Sequence, residues 1–99
     1  MSEEWEVIDT YTRKDAIEDG FIIPIGRLGN AIVEVTRTFL TLDKIVISKA
    51  IVQGLNEIQK HAVPSQVFID VGDNKILVAS GYDHEEKSPV VTIMLPEDW

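Results

Sequence analysis

Apolar residues recur at helical spacing in one stretch of the chain and in short extended runs elsewhere. Between residues 44 and 61 they return every three or four positions, which places them on one face of an amphipathic helix. Asp43 can cap the first turn of this helix, and Pro64 ends the pattern. The spacing predicts a helix over residues 44–61. Its apolar stripe consists of Ile47, Ile51, Leu55, Ile58 and Ala62.

The last third of the chain is typical of a β-meander. Extended segments at 66–71, 76–82 and 90–95 are separated by a polar turn at 72–75 and a polar loop at 83–89. The Gly-Asp-Asn-Lys sequence of the turn is a strong hairpin signal. We therefore predict three antiparallel strands, with apolar side chains on both faces of the sheet.

The first third predicts a short helix followed by an extended segment. Thr12 can cap a helix over residues 13–19, and Gly20 suits the left-handed residue that ends it. Residues 21–25 are apolar, but Pro24 cannot donate to a strand ladder, so we predict either an edge strand or an extended segment here. Residues 31–41 fit either a strand or the start of a helix.

Together these elements predict one α+β domain over residues 1–99, with an antiparallel sheet and the long helix packed on one face. The chain has 13 Ile and 11 Val against 6 Leu, and this excess of β-branched residues favours strands. It has no Cys, which excludes disulfides, thiolate nucleophiles and cysteine zinc sites. The small numbers of Asn, Gln and Met residues agree with a thermostable protein from a hot-living source.

The charge is acidic but unevenly distributed. The net charge is −8, yet the middle of the chain, residues 26–61, has five basic and three acidic residues. A strongly acidic protein repels the phosphate backbone, so general binding to nucleic acid is disfavoured, while a local basic surface stays open. The sequence has no apolar run long enough to span a membrane and no signal peptide at its acidic start, so we expect no membrane insertion and a cytoplasmic location.

No segment has the residue pattern of a known enzyme. Phosphate-loop and dinucleotide-binding motifs are absent, and we expect no catalytic residue and no cofactor. The densest group of metal-capable side chains is 83–86, Asp-His-Glu-Glu. Adjacent side chains in an extended loop do not converge on one ion, so we predict a solvated, metal-free loop.

A short match to a nucleic-acid-binding motif lies at residues 25–32. The sequence IGRLGNAI resembles the I-G-x-x-G-x-x-I signature of KH domains, whose GXXG loop clamps single strands. Gly26, Arg27 and Gly29 would then contact nucleic acid. A KH loop joins two helices, whereas the residues before Gly26 are extended, so a plain turn is the favoured interpretation.

A longer resemblance involves both ends of the chain. Residues 8–22, IDTYTRKDAIEDGFI, resemble the opening pattern I-x-x-Y-[ST]-R-x-x-A-[IL]-x-D-G-[VF]-[LI] of an uncharacterised family of small proteins from phages, plasmids and bacteria. Residues 35–37, VTR, and 89–98, PVVTIMLPED, match two further fragments in the same order. The chain departs from the family in the middle, where its members have a longer insert. Small proteins of archaeal filamentous and rod-shaped viruses are similar in size.

This resemblance implies an α+β fold and a viral or mobile-element origin, without implying a reaction or a ligand. Arg13 and Arg37 are the matching residues least needed for packing, so we predict that they contact a host or viral protein. Two alternatives remain open: a single-stranded nucleic-acid-binding module that uses the 25–32 loop, and an acidic mimic of DNA that blocks a host protein. A homodimer is also left open.

Overall fold

The computed structural model of the chain describes residues 13–84 and 86–98, which form two helices and a five-stranded sheet. Thr12, the predicted cap of the first helix, lies outside these residues. Short 3₁₀ turns lie at Phe39–Thr41 and Pro96–Asp98. In chain order the elements are α1 (Arg13–Glu18), β1 (Ile22–Leu28), β2 (Ala31–Thr36), α2 (Lys44–Ile58), β3 (Ser65–Val71), β4 (Asn74–Asp83) and β5 (Ser88–Met94).

The predicted α+β class is confirmed, and the sheet is antiparallel except at one pair of strands. The strand order is β1-β2-β5-β4-β3, and β2 pairs with β5 in parallel. Residues 31–36, for which the sequence allowed either a strand or the start of a helix, form β2 in the interior of the sheet. The C-terminal meander is β3, β4 and β5, paired in antiparallel order. β1 is an edge strand, which is one of the two forms that the presence of Pro24 indicated.

Helix α2 packs on one face of the sheet through small residues. Asp43 caps the helix, since its Oδ2 accepts a 3.0 Å hydrogen bond from the amide of Ile45. The most buried positions are Ala50, Gly54 and Ile58, spaced four apart. A Cβ placed on Gly54 would lie 2.9 Å from Cγ2 of Val78, so Gly54 marks the closest approach of helix and sheet. The predicted stripe residues Ile47, Ile51 and Leu55 pack beside this line and are half-buried.

The helix ends three residues before the predicted end. After Ile58 the backbone hydrogen bonds span three residues instead of four. The amide of Lys60 donates to the carbonyl of Glu57 at 3.1 Å, and the amide of His61 donates to the carbonyl of Ile58 at 3.1 Å. Ala62, which the sequence placed on the buried stripe, therefore lies outside the helix and is exposed.

Both predicted glycine signals in turns are confirmed. The amide of Gly20 donates to Ile17 at 3.0 Å and that of Phe21 to Ala16 at 2.9 Å, which is the Schellman pattern that ends α1. Gly20 has φ +81, a conformation that side chains rarely adopt. Gly72 has φ +62 at the first position of the two-residue turn between β3 and β4, as a type II′ hairpin requires.

The face of the sheet opposite α2 is also buried. Leu77, Ala79 and Met94 form a second apolar cluster there. Val35 belongs to the core under α2, so Glu34, one residue earlier on β2, points to this second face. None of the helices in the described part of the chain is long and apolar enough to cross a membrane.

Candidate functional site

A buried ion-pair network centred on Arg13 lies on the sheet face opposite α2. Its Nε donates to Oε1 of Glu34 at 2.7 Å, and its Nη1 donates to Oδ2 of Asp83 at 2.6 Å. The hydroxyl of Thr92 donates to the second oxygen of Glu34 at 3.0 Å. The Glu34 side chain is only 2% exposed, against 21% for Arg13. The network therefore joins α1 to three strands, β2, β4 and β5.

The charges in this network compensate one another. Burial by itself lowers the pKa of Arg13, but the hydrogen bonds and negative charges of Glu34 and then of Asp83 outweigh it, so the pKa of the guanidinium lies above its ordinary value. A buried carboxylate such as Glu34 is tolerated only with a partner of this kind. The network fixes α1 on the sheet, and α1 in turn forms one wall of the neighbouring cavity.

That cavity, here called the Arg37 cavity, has a volume of about 580 Å³ and opens between α1, the end of β2 and the C-terminal turn. Met94, Ile22 and Ala16 give it an apolar interior. Its described lining is Ala16, Phe21, Ile22, Thr36, Arg37, Thr38, Thr92, Met94 and Asp98.

An arginine and an aromatic ring form the rim of the Arg37 cavity. The Cζ atom of Arg37 lies 5.2 Å from the centroid of the Phe21 ring, within the range of a cation–π contact. The backbone fixes this geometry, since the amide of Arg37 donates to the carbonyl of Phe21 at 2.9 Å. Phe21 is 50% exposed, and Arg37 is exposed as well. Among residues 13–84 and 86–98, no carboxylate forms an ion pair with Arg37.

Asp98 also lines the Arg37 cavity. Its carboxylate accepts hydrogen bonds from the hydroxyl of Thr36 at 2.8 Å, from the hydroxyl of Thr38, and from the amide of Leu95 at 3.3 Å. All three donors bind the same oxygen, Oδ2, of the carboxylate. Among the described residues the guanidinium of Arg37 has no carboxylate partner, so its donors can face a ligand.

The two arginines predicted to contact a partner lie in different environments. Arg13 is engaged by Glu34 and Asp83, so it holds the fold together, and its predicted role in partner contact stays a prediction. Arg37 is exposed at the rim of a cavity, where a partner could reach it. The structure does not bring the two guanidinium groups into one contact.

The residues of the KH-like match lie in a β-hairpin. Gly26 and Arg27 belong to β1, where the register shifts between Pro24 and Gly26, and Gly29 begins the two-residue turn into β2. A strand on either side replaces the two helices of the KH motif, so the plain turn favoured by the sequence is what the structure contains. The proposed nucleic-acid contacts of these residues stay a prediction.

The predicted metal-free loop has one structural role. Besides binding Arg13, Asp83 accepts the amide of Glu86 at 3.2 Å, and the ring of His84 packs edge-on against Tyr82 at 5.0 Å. Within the described residues, no three His, Asp or Glu side chains are grouped so as to hold a metal ion. His61, near the end of α2, is exposed.

The Arg37 cavity draws together the three sequence fragments of the family resemblance. All but one of its described lining residues belong to 8–22, 35–37 or 89–98, and the exception is Thr38. Sequence reasoning identified Arg37 but missed Phe21, which was assigned to an apolar run, and Asp98, which was assigned to the tail. It also missed Glu34, although a single acid within an apolar strand signals a buried partner.

Comparison with protein-family models, with curated proteins and with solved structures finds no match for this chain.

Proposed function

We propose that this chain is an accessory protein of a virus or mobile element that binds a host or viral protein in the host cytoplasm. The Arg37 cavity is its contact surface. The observation that carries the proposal is the exposed guanidinium of Arg37, which has no ion-pair partner in the described part of the chain and lies over the exposed ring of Phe21 at the mouth of an apolar cavity.

The physical basis is the composition of protein interfaces. Arg and aromatic residues dominate the binding energy of interfaces, because they combine large contact area with directed hydrogen bonds. Here a backbone hydrogen bond and a Schellman turn already hold the main chain of the two residues side by side, so binding needs no rearrangement of the backbone. The cavity is lined by residues from all three fragments that resemble the family, and this supports the cavity as the contact surface.

The chemistry of the cavity indicates which part of a partner it accepts. Its apolar interior suits an aliphatic or aromatic side chain, and Arg37 suits a carboxylate beside it. A nucleic-acid strand fits less well, since the carboxylate of Asp98 lines the same cavity and the whole chain has a net charge of −8. We therefore propose a protein partner that presents an acidic residue next to an apolar one.

The test is affinity capture from host-cell lysate, with and without nuclease, followed by binding of the purified partner. We expect capture to survive nuclease, and Arg37→Ala and Phe21→Ala each to weaken direct binding at least about tenfold, or about 1.4 kcal/mol. Arg27→Ala is the matched control, because Arg27 is an exposed arginine outside the cavity. Capture that requires nucleic acid, or binding that is equal in all three variants, would contradict the proposal.

A further inference from the structure

Strand β3 is an open edge of the sheet. It lies at the end of the strand order, and among residues 13–84 and 86–98 it pairs with β4 alone. The other edge, β1, is protected by Pro24, which lacks an amide hydrogen, and by the register shift before Gly26. β3 has neither device, and its register with β4 is regular from Ser65 to Val71.

The hairpin turn determines which backbone groups of β3 are free. A two-residue turn makes its flanking pair, Val71 and Asn74, a hydrogen-bonded pair, and such pairs then alternate along the ladder. The amides and carbonyls of Gln66, Phe68 and Asp70 therefore point away from β4. The carbonyl of Asp70 accordingly accepts Nε2 of Gln53 at 3.4 Å, on the outer side.

We infer that the partner of this edge is a second copy of the same chain, paired antiparallel through β3 about a two-fold axis at Phe68. In this register Gln66 of each copy lies opposite Asp70 of the other, so an amide faces a carboxylate and no like charges meet. The two Phe68 rings lie side by side, and each is 58% exposed in the single chain. Three outward pairs with two hydrogen bonds each give about six backbone hydrogen bonds.

The position of α2 is compatible with the same pairing. A Cβ on Gly54 would lie 2.9 Å from Val78 of β4, 3.6 Å from Ile69 of β3 and 3.9 Å from Ile93 of β5, so the helix lies over β4 with a strand on either side. Strands are spaced about 4.8 Å apart, and the two-fold axis therefore places the two α2 helices roughly 10–14 Å apart on one face of the joined sheet. Packed helices lie about 8–10 Å apart. The helices therefore do not collide, and they leave room for a contact through the side chains that face the axis.

The outer face of α2 has the side chains for such a contact. Ile45, Lys49, Val52 and Asn56 follow helical spacing, and Val52 is 63% exposed and Ile45 65% exposed. Val52 lines a groove of about 870 Å³ between α2 and β3. The charges of this groove are Lys49, Lys60, Glu57 and Asp70, two of each sign. A surface with balanced charges can meet its own two-fold copy, whereas a one-signed surface would repel it.

Sedimentation equilibrium of the full chain tests the dimer. We expect a monomer–dimer equilibrium that Phe68→Glu weakens at least about tenfold, and that Val52→Lys also weakens, because both side chains become buried on association. Phe21→Glu is the matched control, since Phe21 is a similarly exposed phenylalanine on another surface, 50% exposed against 58% for Phe68, and it should leave the dimer unchanged. Circular dichroism verifies that each variant is folded.

Two charge changes at one position test the register. Gln66→Lys places an ammonium opposite the carboxylate of Asp70 in the second copy and should tighten the dimer several-fold. Gln66→Asp places two carboxylates opposite each other and should weaken it by a similar factor.

Because the chain has no Cys, a spin label on Phe68→Cys provides a direct reading, with dipolar broadening expected there and not on Leu28→Cys at the β1 edge.

A chain that stays monomeric at about 1 mM overturns the inference, as does a dimer that Phe68→Glu and Val52→Lys leave intact. A monomer that instead binds an extended peptide at β3 also overturns it, because the edge would then serve another protein. These outcomes are independent of the proposed function, since that proposal is measured at Arg37 and Phe21, on another surface.

Discussion

Nε of Arg13 donates a 2.7 Å hydrogen bond to Oε1 of Glu34, which joins the first turn of α1 to the interior of the sheet across 21 residues of sequence. The two partners are unequally buried, because the Glu34 side chain is 2% exposed and that of Arg13 21%. Removing one partner from a buried pair costs more than the pair contributes, since the remaining charge loses its compensation. The unequal burial therefore predicts unequal effects of substitution.

Arg13→Met should lower the free energy of unfolding by about 3–5 kcal/mol, because it leaves the carboxylate of Glu34 buried without its cation. Glu34→Leu should cost less, since Arg13 keeps Asp83 and reaches solvent. The double variant Arg13→Met/Glu34→Leu should recover part of the loss. Urea denaturation of the four proteins measures the cycle, and equal losses in the two single variants would contradict this account.

Gly54→Ala should destabilise the protein although alanine is the better helix former. Helix propensity favours alanine by about 1 kcal/mol, but the new Cβ would lie 2.9 Å from Val78 Cγ2 in a packed core. Overpacking of this kind costs about 1–3 kcal/mol. Thermal and urea unfolding measure the balance. Val78→Ala should reduce the penalty of Gly54→Ala, and Ser48→Ala, on the exposed side of α2, is the control. A stabilised Gly54→Ala variant would mean that the helix can move away from the sheet.

The orientation of α2 predicts a graded series of isoleucine truncations. Ile58→Ala should cost about 2–5 kcal/mol because Ile58 is fully buried, and Ile45→Ala less than about 0.5 kcal/mol because Ile45 is exposed. Ile51 is half-buried, so Ile51→Ala should fall between them. Denaturation at low protein concentration keeps the measurement to the single chain. A larger loss at Ile45 than at Ile58 would place the opposite face of the helix on the sheet.

The sequence was sufficient for the elements whose signals are local. The Asp43 cap, the Gly20 stop, the Gly72 turn and the spacing from Ile47 to Ile58 each act within a few residues, and each is present in the structure. The parallel pairing of β2 with β5 was not predictable in this way, because it depends on which strands meet after the chain has passed through α2, β3 and β4. The same limit applied to Gly54, whose close contact with Val78 is tertiary.

In the Arg37 cavity, too, local features were predictable and tertiary contacts were not. Arg37 could be singled out as a charge that packing does not need, but its partner ring is 16 residues away and meets it only because β1 and β2 pair. Asp98 reaches Thr36 across 62 residues through the parallel β2–β5 pair that the sequence did not predict. The two ion-pair partners of Arg13 were not predictable for the same reason, because Glu34 and Asp83 are distant in sequence and lie on separate strands.

The hairpin of β1 and β2 predicts that the chain does not bind single-stranded nucleic acid tightly. Gly26 and Arg27 lie in β1, and only Gly29 and Asn30 form the turn, so the segment lacks the helix-flanked loop with which a KH domain clamps a strand. With a net charge of −8, nonspecific attraction to phosphates is weak as well.

We expect no binding of labelled single-stranded RNA or DNA below about 10 μM, which corresponds to less than about 7 kcal/mol of affinity. Fluorescence titration at two salt concentrations measures this, with the double variant Arg27→Asp/Leu28→Asp as the control, since both side chains are exposed. Submicromolar binding that this variant abolishes without unfolding would favour the nucleic-acid-binding alternative over a protein partner at the Arg37 cavity.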